Sequence, residues 1–174
     1  MAYNIYKTFE ASMVKTVKEI FTELSVDCLP IVSHQNAPEP RKDYVVINPL
    51  RITPTGKADA SNGILLFDNN QTTQYMVQQY EVVVQLSFFG AGAADNAMTY
   101  YSQYSGNTVV REIYTRNNLA VRRRTDFRRA PQLRENTWVD SYAFDITLGF
   151  AVRTAQEIDW VDKIVVNGET IPLP

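Results

Sequence analysis

Among its 174 residues the chain has one cysteine, Cys28, and one histidine, His34. A lone thiol closes no internal disulfide, and one cysteine with one histidine makes no zinc-type ligand set. Neither a metal nor any other cofactor is expected, and a reducing compartment fits the composition. No run approaches the roughly 20 apolar residues of a membrane-spanning helix. The N-terminus also lacks the charged-then-apolar layout of a signal peptide, so no membrane partner is expected and the chain reads as cytosolic. Excess charge is missing too. Lys and Arg number 17 against 19 Asp and Glu, a formal −2, which gives no bulk reason to expect a free-standing nucleic-acid binder.

The motifs of common chemistry are equally scarce. There is no GxxxxGK[ST] phosphate loop, no GxGxxG and no HExxH; Gly90-Ala91-Gly92 lacks the third glycine and the downstream acid of a dinucleotide fingerprint. His34 sits between polar and proline residues without a neighbouring carboxylate or nucleophile, and reads as a solvated loop histidine. Cys28, between Val26 and Leu29, reads as a small packing residue. Asp140 with Asp145, and Asp159 with Asp162, are separated by odd offsets, which on a strand send the two carboxylates to opposite faces. No catalytic residue is expected.

What is present points to one α+β domain over residues 1–174, with 45% hydrophobic and 21% charged residues, long enough to bury roughly 70% of its unfolded surface. Ile5, Phe9, Met13, Val17, Ile20, Phe21 and Leu24 recur at helical spacing within residues 1–27, with Asn4 as N-cap and Pro30 beyond the end. Residues 33–43 form a connector around Pro38 and Pro40. Tyr44–Ile47 is a short strand, and Pro49 and Pro54 require its continuation to be interrupted or to lie at an edge. Residues 55–70 read as a long loop or extended hairpin tip, broken by Ile64, Leu65, Leu66 and Phe67. Such a loop in a compact domain is commonly functional, so these four apolar residues are a candidate intersubunit arm.

The strongest β signal runs over residues 72–89, where Tyr80, Val82, Val84, Leu86 and Phe88 alternate with Glu81, Val83, Gln85 and Ser87. Asp95 is expected to cap a helix through Ala97, Met98, Tyr101 and Tyr104. A shorter helical turn from Thr108 to Tyr114 carries Val109, Val110 and Ile113 to the core. Leu119–Thr125 reads as a strand, and residues 138–152 as one long strand with Tyr142, Phe144, Ile146, Leu148, Phe150 and Val152 on one face. Asn167–Gly168 is a type I′ turn signal, making residues 157–174 a C-terminal hairpin or tail. The expected fold is thus a mainly antiparallel, twisted β-sheet flanked by an N-terminal helix and a middle helix, with a C-terminal β-hairpin.

The arginine distribution is the anomaly. Eight of eleven arginines lie between Arg111 and Arg134, including Arg122, Arg123, Arg124, Arg128 and Arg129. So dense a set repels itself unless anions face it. Three readings stand: a solvated basic face, an intersubunit salt-bridge network, and a surface facing the DNA backbone. Strand alternation sends Arg122 and Arg124 to one side and Arg123 to the other.

The order of elements, together with the stretches Tyr44-Val45-Val46-Ile47-Asn48-Pro49-Leu50-Arg51-Ile52, Gln79 through Gly90, Ala93-Ala94-Asp95-Asn96-Ala97, Leu119-Ala120-Val121, Trp138 before a long strand, and the ending from Asp159 to Gly168, resembles the phage neck and tail-terminator family. The resemblance covers residues 44–168. It implies a non-enzymatic virion protein, assembled in the host cytoplasm. Its subunits would form a homo-oligomeric ring, expected to be hexameric, that stops growth of the tail tube. Implied partners are tail-tube and sheath proteins, head-completion and connector proteins, and genomic DNA held without sequence preference in the ring lumen. A head–tail connector or stopper subunit is the alternative within virions; a small binding module or hydrolase is the alternative outside them.

Overall fold

The structure, a computed structural model, describes residues 4–33, 39–55, 64–67, 73–103, 106–134, 136–157, 163–166 and 169–172. His34, Tyr104, Asp159, Asp162 and the Asn167–Gly168 turn lie outside them. The chain forms two compact units, Met1–Thr55 with Gln79–Ala151, and Gly56–Gln78 with Val152–Pro174.

In the first unit, helix α1 spans Ile5–Glu23, and the Asn4 side chain accepts the Lys7 backbone N–H at 3.1 Å, as its capping chemistry predicts. Phe9, Met13, Val17, Ile20 and Phe21 are buried along one face; Ile5 and Leu24, at the ends of the stripe, are half-buried. Strand β1, Leu29–Val32, comes next and runs parallel to β2, Tyr44–Pro54. β1 was not expected from the sequence, because it has only four residues and contains Pro30. As a sheet edge it needs no N–H from that residue.

β2 pairs antiparallel with β4, Thr73–Phe89. Only Tyr44–Ile47 have β1 on their other side, so Pro49 and Pro54 fall where β2 has lost that neighbour. The register slips between Pro49 and Arg51, which places a bulge at Leu50. Both proline constraints inferred from the sequence are therefore met within one eleven-residue strand.

Helix α2, Ala93–Gln103, begins two residues before the cap expected of Asp95, which lies in its first turn. The carboxylate at the helix start is instead Asp43, whose Oδ2 accepts the Gly92 N–H at 3.0 Å and the Asn96 Nδ2 at 2.9 Å. Tyr100 rather than Met98 faces the core. A two-glycine turn lets the helix start early and rotates its inner face by about one position. Helix α3, Thr108–Arg116, is a full helix capped by Asn107, and it buries Val110, Ile113 and Tyr114 while Val109 is exposed.

Strands β5, Leu119–Arg124, and β6, Arg128–Arg129, both pair antiparallel with β9, Ser141–Glu157. Between β6 and β9, β7, Gln132–Arg134, and β8, Thr137–Val139, form a separate hairpin, with Asn136 at φ 65 in its turn. Trp138 thus belongs to this hairpin and not to the long strand, a correction to the expected single strand over residues 138–152. Asp140 separates the two. The strand order of the unit is β1-β2-β4-β9-β5. One sheet face, with Val45, Ile47, Val82, Val84, Leu86, Phe88, Phe144, Ile146 and Leu148, is buried under the helices. Edge contacts of Phe9 with Phe150 and of Phe21 with Phe88 join the layers, and one of Phe21 with Tyr100 joins α1 to α2. The architecture is α+β with a mostly antiparallel sheet, and among the described residues it has three helices: the two expected, and α3, which extends the helical turn expected over Thr108–Tyr114.

A polar clasp ties α1 to α3. Glu19 Oε2 accepts from Asn117 Nδ2 at 2.9 Å and from Arg116 Nη2 at 3.1 Å. The Asn117 hydrogen bond, helped by Arg116 and opposed by partial burial, holds the Glu19 carboxyl below its ordinary 4.5. Folding therefore favours the ionised form. This stabilisation is complete above the unfolded value and is lost as pH falls through the folded one. Glu19→Gln is expected to cost about 1 kcal/mol at neutral pH and to flatten the pH dependence of stability below about pH 5. Urea melts of both proteins from about pH 3 to 7 check this; parallel curves would remove the clasp as a source of stability.

In the second unit, β3, Ile64–Phe67, pairs antiparallel with Gln74–Val77 of β4. β10, Lys163–Val166, pairs with β11, Glu169–Pro172, in the hairpin expected at the C-terminus.

Candidate interaction surface

All five singled-out arginines fall on the outermost strand track of the first unit's sheet, in β5 and β6 beside β9. An edge strand exposes unpaired N–H and C=O groups that invite strand addition, and charges together with a bulge suppress it. β5 has both features, since its register slips between Val121 and Arg123.

That bulge overturns the simple alternation expected for the triplet. Arg123 pairs with Thr147, on the sheet face away from the helices, and donates from Nε to the Thr147 hydroxyl at 3.2 Å. Arg122 lies on that same face. Its Nη1 is 3.6 Å from Glu81 Oε2, and its guanidinium fills the space a side chain at Gly149 would take. Arg124 pairs with Ile146 on the helix side, where it stacks over the Tyr101 ring at 3.7 Å and donates to the Tyr101 carbonyl. The extra residue in the bulge reverses side-chain direction for the remainder of the strand, so Arg122 and Arg123 share a face and Arg124 does not.

Arg128 reaches Asp145 at 3.0 Å, and Arg129 reaches Asp140 at 2.6 Å. Asp140, first because it hydrogen-bonds Arg129 and also through its charge, raises the guanidinium pKa of Arg129. Asp140 and Asp145, for which the sequence suggested no joint role, are thus the counter-ions of this pair of arginines. Such exposed pairs contribute little stability individually, but they lower the self-repulsion that the sequence made conspicuous.

The face away from the helices retains positive charge after this pairing. Arg51, on β2, is exposed there, and among the described residues no carboxylate pairs with Arg51 or Arg123. Both line an open groove of about 560 Å³ together with Arg124, with Leu50 and Val83 as its apolar part and Thr125, Asp145 and Thr147 as its polar part. Arg51 was not singled out in the sequence. The signal that would have found it is its bulge position beside Pro49, which brings it level with Val83.

The other candidate surfaces are simpler. Ile64, Leu65, Leu66 and Phe67 form β3 in the second unit. Cys28 is only 8% exposed, and burial followed by the charges of Asp43 and Asp27 pushes its thiol pKa up to about 12. This keeps it protonated and a poor nucleophile. Among the described residues no group of three or more His, Cys, Asp or Glu stands close enough to hold a metal ion. No helix among them is long and apolar enough to cross a membrane.

Comparison with curated proteins gives no match. A protein-family model described as phage neck terminator protein matches residues 11–172, which include every strand and helix of the fold except the first turns of α1. The match therefore rests on the whole fold rather than on one motif, and the chain belongs to the phage neck terminator protein family.

Proposed function

We infer that this chain is the subunit of a ring, hexameric by expectation, that sits on the end of the tail tube, stops its growth and joins it to the head connector. The family is one of structural phage proteins of the neck, which associate with other tail and head proteins, and the match over residues 11–172 is the observation that carries the reading. A single terminator-like subunit would meet tube proteins on one side, sheath proteins where the tail is contractile, and head-completion proteins on the other. Genomic DNA would pass through the lumen, held by contacts that ignore sequence. The candidate arm Ile64, Leu65, Leu66 and Phe67 would contact a neighbouring subunit. Arg122, Arg123, Arg124, Arg128 and Arg129 would line either a subunit interface or the lumen wall. The open, basic sheet face supports a binding surface, since phosphate contacts need cations but no specific geometry.

The test is the mass of the purified protein in solution, alone and mixed with tail-tube ends. Closed rings of about six subunits, free or on tube ends, are the expected result. A strict monomer that ignores tubes at all concentrations would overturn the ring.

A further inference from the structure

Three surfaces stand out among the described residues of the first unit, and its sheet edges are the least suited of them to a neighbour. They resist strand addition: β1 has four residues and a proline without an N–H, while β5 has a bulge and three consecutive arginines. The other two are the groove lined by Arg51 and Arg123, and the β7–β8 hairpin. On that hairpin Leu133 and Trp138 are cross-strand partners on one side and are 58% and 68% exposed. Side by side, the two make a small exposed apolar patch, and tryptophan is among the residues most enriched at the positions that dominate interface energies.

We propose that the Trp138–Leu133 knob of one subunit seats in the Arg51–Arg123 groove of the next copy of the chain. This rests on the ring proposed for the family member and names its contact. The occupant is chosen by complementary chemistry. The groove has an exposed apolar wall at Leu50, which is 50% exposed, with Val83 beside it. Among its lining residues, Arg51 and Arg123 are guanidiniums without carboxylate partners among the described residues. An indole face attracts such cations, the more so when both are desolvated, and the leucine matches the apolar wall. The hairpin's own strands are paired with each other, so it can present the knob without unfolding. Knob and groove are different patches of one subunit. In a ring each knob would meet the groove of the next subunit, a head-to-tail contact of the kind that closes into rings where the rotation between subunits closes.

The test uses full-length protein and sedimentation velocity, with and without tube ends. Trp138→Ala and Leu50→Asp are both exposed changes, so each variant should keep the wild-type melting temperature. Each should weaken subunit association by roughly 30-fold or more. Mixing the two variants discriminates further. The Trp138→Ala subunit keeps its groove and the Leu50→Asp subunit keeps its knob, so the mixture should yield dimers with one intact contact and no closed rings. If wild type forms rings and either variant does so equally well, the knob-and-groove contact is wrong while the ring stands. If the mixture behaves as its separate parts, the contact is not head-to-tail and the proposal fails. If wild type never associates, the ring itself is wrong, and this contact with it.

Discussion

Replacing Phe144 by alanine is expected to remove about 3–5 kcal/mol of stability, the full range for emptying an aromatic position in a tight core. Phe144 is fully buried on β9. Its ring stacks on Phe88 at 6.0 Å, meets Tyr101 edge-on at 5.1 Å, and lies within 6.1 Å of Tyr100 and 6.4 Å of Phe127. It thus joins the two central strands to α2 and to the β5–β6 connection in one contact set. Aromatic pairs of this kind add about 0.5–1.5 kcal/mol beyond the area they bury, and four rings surrounding one position leave little freedom to collapse into the void. Phe144→Leu keeps much of the volume and should cost less than half as much. Urea denaturation of the three proteins measures this directly. A loss near about 1 kcal/mol for the alanine variant, well under the usual range, would mean that the helix layer relaxes onto the sheet, and the cluster would not be the centre of the core.

The second large effect is expected at Gly90, where alanine should cost about 2–4 kcal/mol. Gly90 follows β4 directly with φ at 108, a conformation that side chains strain to adopt. A Cβ there would lie 2.2 Å from Asp43 Oδ1 and 2.9 Å from the Asp43 Cα. The first clash can be relieved by moving the carboxylate, but this would pull Asp43 from the Gly92 N–H and from Asn96, a contact of the sort worth about 1 kcal/mol at a helix start. The second is with backbone and cannot be relieved cheaply. Asp43→Ala alone should therefore cost about 1 kcal/mol, and the Gly90→Ala, Asp43→Ala pair should lose less than the sum of the two. Strict additivity would show that the carboxylate is not the obstacle.

Both substitutions act within the first unit, which also holds the Arg51–Arg123 groove and the Trp138 hairpin. They are therefore expected to impair assembly only through folding, whereas Trp138→Ala and Leu50→Asp should impair it with folding intact. That contrast separates a packing defect from an interface defect by comparing melting with sedimentation.

Much of this molecule was legible in its sequence, where the signal was local. The spacing of Phe9, Met13, Val17, Ile20 and Phe21 marked the buried face of α1. Alternation from Tyr80 to Phe88, and from Phe144 to Phe150, marked the two central strands, because period-two burial leaves a direct trace in the chain. Asn4, the Gly90–Gly92 break and the constraints at Pro49 and Pro54 were each set by the backbone chemistry of a single residue. The family resemblance drew on these same patterns.

What the tertiary structure alone decided were relations between distant residues. The β5 bulge moved Arg122 to the side of Arg123 and left Arg124 against Tyr101, because a one-residue slip in pairing changes which side chains share a face, and no propensity in a six-residue strand announces it. Asp43 holds the start of α2 from far upstream, a task that local reading had given to Asp95. Glu81, Asp140 and Asp145 became counter-ions to Arg122, Arg129 and Arg128 only once strand pairing brought residues separated in sequence side by side. The sequence by itself therefore determined most of the elements, their inner faces and the family. Which charges are paired, and that Arg51 and Arg123 line one groove, was decided by packing, because pairing between charges depends on distances that only the folded chain sets.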